Sequence, residues 1–104
     1  MRVTVDGLPV RVTWRYEPYM QDYNWYRATT CFIEVENTSE TGATYYDVFS
    51  GETRNIYPDN FCKATGRKVA LTKALKTSGF SKAQRKAIWD AYFSRDKKLT
   101  EQVV

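Results

Sequence analysis

The stretch FCKATGRKVALTKALKTSGFSKAQRKAIWDAYFSRDKK (residues 61–98) holds two helical patterns joined at Gly79, both studded with Lys and Arg. At 100° per residue, Lys82, Arg85, Lys86, Trp89 and Phe93 of the second pattern fall within about 100° of one another. A basic rim around aromatic rings can grip phosphates and stack on bases. The same rings can instead pack between helix and sheet while the Lys stems run outward to solvent. On the first pattern, Lys63, Arg67 and Lys68 add charge, but together with Lys73 and Lys76 they do not share one face. They describe diffuse positive charge, with no edge shaped to read a groove.

A DNA-reading helix-turn-helix also joins two helices through a turn that often contains Gly. That motif needs an apolar residue about six positions after the turn glycine, to seat the second helix on the first. Here the position is Arg85, and no third helix completes a small bundle. The pattern is a basic helical hairpin, not a sequence reader.

Carboxylates form the other candidate cluster. Glu34 and Glu36 alternate on one strand face, and Asp47 falls on the strand expected next to it. Nucleases hold a divalent ion between such groups, usually beside a Lys. Residues 1–58 contain no Lys. The three acids therefore read as an acidic docking face for a basic partner.

Catalytic chemistry finds little else to stand on. The chain has no His, so it lacks the commonest general base and the commonest zinc ligand. Two cysteines, Cys31 and Cys62, cannot close a tetrahedral metal site and read as small buried hydrophobes. No nucleophile–base pair or phosphate-cradling loop occurs. Neither catalytic residue, metal nor cofactor is expected.

The elements that position these residues follow from period and punctuation. RVTVDGLPVRVTWRY is a hairpin: Asp6-Gly7 accepts positive φ, and Val10, Val12, Trp14 and Tyr16 alternate with Arg11, Thr13 and Arg15. EPYMQDYNWYRA reads as a polar, aromatic connection. ATTCFIEVENT is a strand with Cys31, Ile33 and Val35 on one face and Phe32, Glu34 and Glu36 on the other. ATYYDVFSGETRNIYP reads as one or two strands broken near Ser50-Gly51. After Pro58 the period changes to 3.6. Asp59 or Asn60 caps a helix with a stripe of Phe61, Ala64, Leu71, Ala74 and Leu75. Gly66 either lets this helix pack closely or marks a break, with Thr65 capping a shorter helix. Gly79 ends it, Ser81 and Gln84 form a capping box, and Ala87, Ile88, Ala91 and Tyr92 make the second stripe.

The expectation is one α+β domain over residues 1–104: an antiparallel sheet of four or five strands (1–58), covered by a two-helix hairpin (59–95), with a flexible tail (96–104). The first 58 residues carry five Arg against eight acids, a net −3. The remainder carries eleven bases against four acids, a net +7, which points to an anionic partner. There is no run of about 18 apolar residues and no apolar leader, so a cytoplasmic protein with no membrane partner is expected.

The runs FCKATGRKVAL and RKAIWDAY resemble small uncharacterised accessory proteins of tailed bacteriophages. That resemblance covers the last 45 or so residues and the strand order before them. It implies a cofactor-free protein in the host cytoplasm that binds a host protein or nucleoprotein complex, of anti-defence (anti-CRISPR-like) or host-takeover type. Two alternatives stand beside it: an accessory protein binding DNA or RNA through the basic helices, and a structural homo-oligomer.

Overall fold

The computed structural model describes the backbone of residues 1–56 and 63–103, and their side chains except at 19, 24, 55, 56, 63 and 96–103. The expected cap at Asp59 or Asn60, the stripe residue Phe61 and the second thiol, Cys62, lie outside the described residues. Four antiparallel strands come first, β1 (Arg2–Val5), β2 (Leu8–Gln21), β3 (Asn24–Thr38) and β4 (Thr44–Ile56). Two helices follow, α1 (Lys63–Ser78) and α2 (Lys82–Val103). The strands pair in chain order, β1-β2-β3-β4, and the helices cover one face of the sheet. The expected α+β architecture is the observed one.

Register sorts the side chains. Val10 faces Val35, Val12 faces Ile33 and Trp14 faces Cys31, so the alternation of β2 and β3 stacks one apolar face against the helices. Ala70, Leu71, Ala74 and Leu75 of α1 and Ile88 and Tyr92 of α2 close the core from above. Full burial of a side chain such as Leu71 or Ile88 contributes about 1.5–3 kcal/mol.

Two expectations are corrected along the sheet. Residues 17–28 are not a connection: β2 and β3 continue to a two-residue turn at Asp22-Tyr23, where both residues take positive φ (51° and 63°). That turn matches strand twist without any glycine to announce it, and aromatics on both faces hide the alternation. Likewise β4 does not break at Ser50-Gly51. It runs unbroken through Gly51, which is glycine for a different reason. A Cβ there would sit 2.3 Å from the Ala74 amide nitrogen and 2.5 Å from the Ala70 carbonyl oxygen. Helix α1 lies directly on the strand backbone at that point. On either side, Lys73 Nζ donates to the Glu52 carbonyl (3.0 Å) and Thr77 Oγ1 to the Ser50 carbonyl (3.4 Å).

The helical punctuation is largely as expected. α1 is continuous through a buried Gly66, so that glycine packs closely and Thr65 is not a cap. Gly79 ends the helix at φ +74°. The capping box forms in both directions: Ser81 N–H donates to Gln84 Oε1 (2.8 Å), and Gln84 N–H to Ser81 Oγ (3.2 Å). Backbone helix continues through the expected tail to Val103.

Gly51→Ala is expected to destabilise the fold by about 3 kcal/mol, because helix and strand backbones must part to admit a methyl group. Urea denaturation measures it. Ser50→Ala, one residue away on the open face, should change stability by less than about 0.5 kcal/mol.

Candidate interaction surface

The two helices meet over β2 around a group of rings. Tyr92 of α2 is fully buried and tilted against Trp14, with centroids 5.7 Å apart. Trp89 sits edge-on to Tyr92 at 5.8 Å and stacks on Phe93 at 5.7 Å with 24° between planes. Trp89 is half-buried, whereas Phe93 is 51% exposed. The sequence alternatives of buried rings and exposed rings are thus divided within one stack: Trp89 anchors it and Phe93 presents it.

Helix α1 brings its charge to the same place. Lys68 Nζ lies 5.6 Å above the Phe93 ring, within cation–π range. Arg95 covers the Trp14 ring at the same distance. Arg67 turns inward. Its carbonyl accepts from Trp14 Nε1 (3.3 Å), and its guanidinium donates to the Tyr16 hydroxyl (3.4 Å). The Tyr16 phenol and then that of Tyr92 hold the Arg67 guanidinium even more firmly protonated than usual. Arg67 is therefore an organising residue between sheet and helices rather than an open cation.

The other expected site residues separate. Lys82, Arg85 and Lys86 line the exposed side of α2, but Lys86 Nζ is paired with Asp90 at 3.0 Å one turn on. That pairing reduces the free charge on the row. The Lys63 side chain lies outside the described ones. The acidic docking face is corrected. Glu34 and Glu36 share the open face of the sheet, but Asp47 pairs with Val35 and so points to the other face, where Asn37 Nδ2 donates to it at 2.9 Å. Adjacent strands place residues opposite each other on the same face, and Asp47 is one register step off the rungs of Glu34 and Glu36.

Among the described residues, three buried polar atoms near these rings make no well-aligned hydrogen bond: Thr29 Oγ1, Arg67 Nε and the Tyr92 hydroxyl, which lies near the Arg67 guanidinium. The contact role of Arg67 with Tyr16 and Tyr92 was not visible in the sequence, since it joins residues 51 and 25 positions apart. Cys31 is fully buried, and desolvation pushes its thiol up to about 12. Among the described residues, no three of Asp, Glu, His or Cys come together to hold a metal, and no helix is long and apolar enough to cross a membrane. Compared with known proteins, the chain matches no family model, no curated protein and no solved structure.

Tyr92→Phe removes a buried hydroxyl that makes no well-aligned hydrogen bond and keeps the ring, so stability should change by less than about 1 kcal/mol; Tyr92→Ala should cost about 3–5 kcal/mol. Thermal and urea unfolding of the two variants decides this. In a Cys62→Ser background, Cys31 should react with a thiol reagent at pH 8 at least about 100-fold more slowly than a free thiol, and at the free rate once unfolded.

Proposed function

We propose that this chain is a non-catalytic accessory protein of the bacteriophage type, which binds a host protein or nucleoprotein complex stoichiometrically and inhibits it. Anti-defence or host takeover is the role, in the host cytoplasm. The contact is made by the helical face. What carries the reading is the joining of Lys68 from α1 to the Trp89–Phe93 stack of α2, with Lys82 and Arg85 exposed further along α2. An exposed aromatic set on a rigid, half-buried anchor and ringed by cations has the make-up of an interface hot spot. It would insert Phe93 into an apolar pocket bordered by carboxylates or phosphates.

The same patch favours a second reading, direct nucleic-acid binding, because Phe93 can stack on a base while Lys68 meets a phosphate. The two readings part on salt. Direct duplex binding should weaken with a log–log slope near −0.9 for each phosphate neutralised, and affinity unchanged between roughly 50 and 200 mM salt excludes it.

Lys68→Glu/Phe93→Ala tests the contact. Host effector complexes offered to the wild-type protein should yield one stoichiometric complex that survives gel filtration, and the double variant should bind that effector at least about tenfold more weakly. A wild-type protein that forms no such complex, or a variant that binds as well, overturns the proposal.

A further inference from the structure

Among the described residues, no helix covers the second face of the sheet. That face presents Arg2, Pro9, Arg11 and Arg15 from β1 and β2, Phe32, Glu34 and Glu36 from β3, and Tyr46, Val48 and Glu52 from β4. Val48 is 58% exposed and Tyr46 56%, so the face is not simply a charged, solvated surface. At one end a groove of about 770 Å³ opens between Arg2, Arg11, Glu34, Glu36 and Tyr46.

The charges on this face are arranged by rung. Reading across the register from β1 to β4, one rung runs Arg2, Arg11, Glu34, Val48. Another runs Arg15, Thr30, Glu52 from β2 to β4. In both, the base stands on one side of the β2–β3 boundary and the acid on the other. The last rung, Glu17, Ala28, Arg54, has the opposite order. Only in the first of these rungs do base and acid stand side by side across the β2–β3 boundary, as Arg11 and Glu34.

We propose that this open face is a homodimer interface, in which a second copy packs face to face about a two-fold axis parallel to the strands, between β2 and β3. Such an axis lays each rung over its own reverse. Arg11 of one copy then meets Glu34 of the other, and the symmetry repeats the contact. The other two rungs stay neutral to this choice: the axis sets Arg15 over Thr30 and Glu17 over Ala28, so the charge complementarity rests on the Arg11–Glu34 rung. An axis across the strands lays each strand on its own copy and, where it runs along the Arg2–Arg11 rung, sets Arg2 and Arg11 on themselves, so like charges select against that placement. Phe32, Val48 and Tyr46 supply apolar contact between the charged positions. Two sheets packed this way lie with strands nearly aligned, about 10 Å apart.

Size agrees with a modest dimer. With β1 of 4 residues and β2, β3 and β4 of 14, 15 and 13, at about 4.8 Å between strands and about 3.3 Å per residue, the face measures roughly 700 Å² in projection. Two such faces come to about 1,400 Å², within the range of specific interfaces. The contact is therefore expected to be salt-sensitive and of micromolar strength.

Charge exchange gives a test in which the defect and its repair are both predicted. Sedimentation equilibrium should find the wild-type chain dimeric at about 100 μM and dissociating as salt is raised. Arg11→Glu alone and Glu34→Arg alone should each be monomeric, with dimerisation at least about tenfold weaker, because like charges now face each other. Mixed one to one, the two variants should form a heterodimer, since each reversed charge meets its complement on the partner chain. The single-chain exchange Arg11→Glu/Glu34→Arg should dimerise again, and circular dichroism of each variant confirms its fold. A wild-type chain that stays monomeric, or single variants that keep the dimer mass, or a mixture that fails to associate, overturns the proposal. Lys68→Glu/Phe93→Ala leaves this face untouched and should remain dimeric, so failure of the host-contact reading and failure of this one are read separately.

Discussion

Helix α1 rests on β4 at backbone distance, and this is possible because residue 51 has no side chain. The usual separation of helix and sheet is set by interleaved side chains, which leave freedom in the angle and rotation of the helix. Here Ala70, Ala74 and Gly51 bring main chains together, and the Lys73 and Thr77 bonds to the carbonyls of Glu52 and Ser50 fix the helix along the strand. A helix so clasped has one rotation. That rotation turns Arg67 inward toward Tyr16 and Tyr92 and leaves Lys68 at the seam with α2. The aromatic patch is in this sense a consequence of a missing methyl group on the opposite side of the helix.

Polar chemistry is used differently on the two sides of the molecule. Beneath the helices, Arg67 donates through its guanidinium to the Tyr16 phenol and accepts at its carbonyl from the Trp14 indole, while the buried hydroxyls of Thr29 and Tyr92 make no well-aligned hydrogen bond. Burial of that kind costs stability, and the ring packing around Tyr92 offsets it. On the open side of the sheet, bases and acids stand on adjacent strands where water reaches them. Their neighbour pairs, Arg15 with Glu17 and Arg54 with Glu52, are exposed and contribute little to folding. Their arrangement bears on recognition more than on stability.

Much of the fold was legible from period and punctuation. Asp6-Gly7, the alternation of Val10 to Tyr16 and of Cys31 to Val35, Gly79, and the Ser81–Gln84 box all carry local signals, and each occurs where its signal puts it. What escaped was of two kinds. Asp22-Tyr23 turns the chain with two side-chain-bearing residues at positive φ, which no local preference announces. Gly51 and Asp47 were misread because their meaning is set by a neighbour distant in sequence: α1 overhead in one case, and the register against Val35 in the other. The candidate site divides the same way. The α2 stripe was visible at helical spacing, whereas the arrival of Lys68 at Phe93 and the Arg67–Tyr16 contact required the packed helices.

One small bond carries a consequence for how the chain is made. Gln84, already half of the α2 capping box, donates through Nε2 to the Asp6 carboxylate at 2.6 Å, joining the first turn to a helix 78 residues later. α2 also packs beside β1. The β1–β2 hairpin leaves a ribosome well before α2, yet the α2 side of its cover arrives only when residues beyond 80 follow. At about 5–20 residues per second, that hairpin waits several seconds with its apolar face uncovered. Vectorial synthesis thus sets the order: hairpin first, its helical cover later, with the Gln84–Asp6 bond closing the two together.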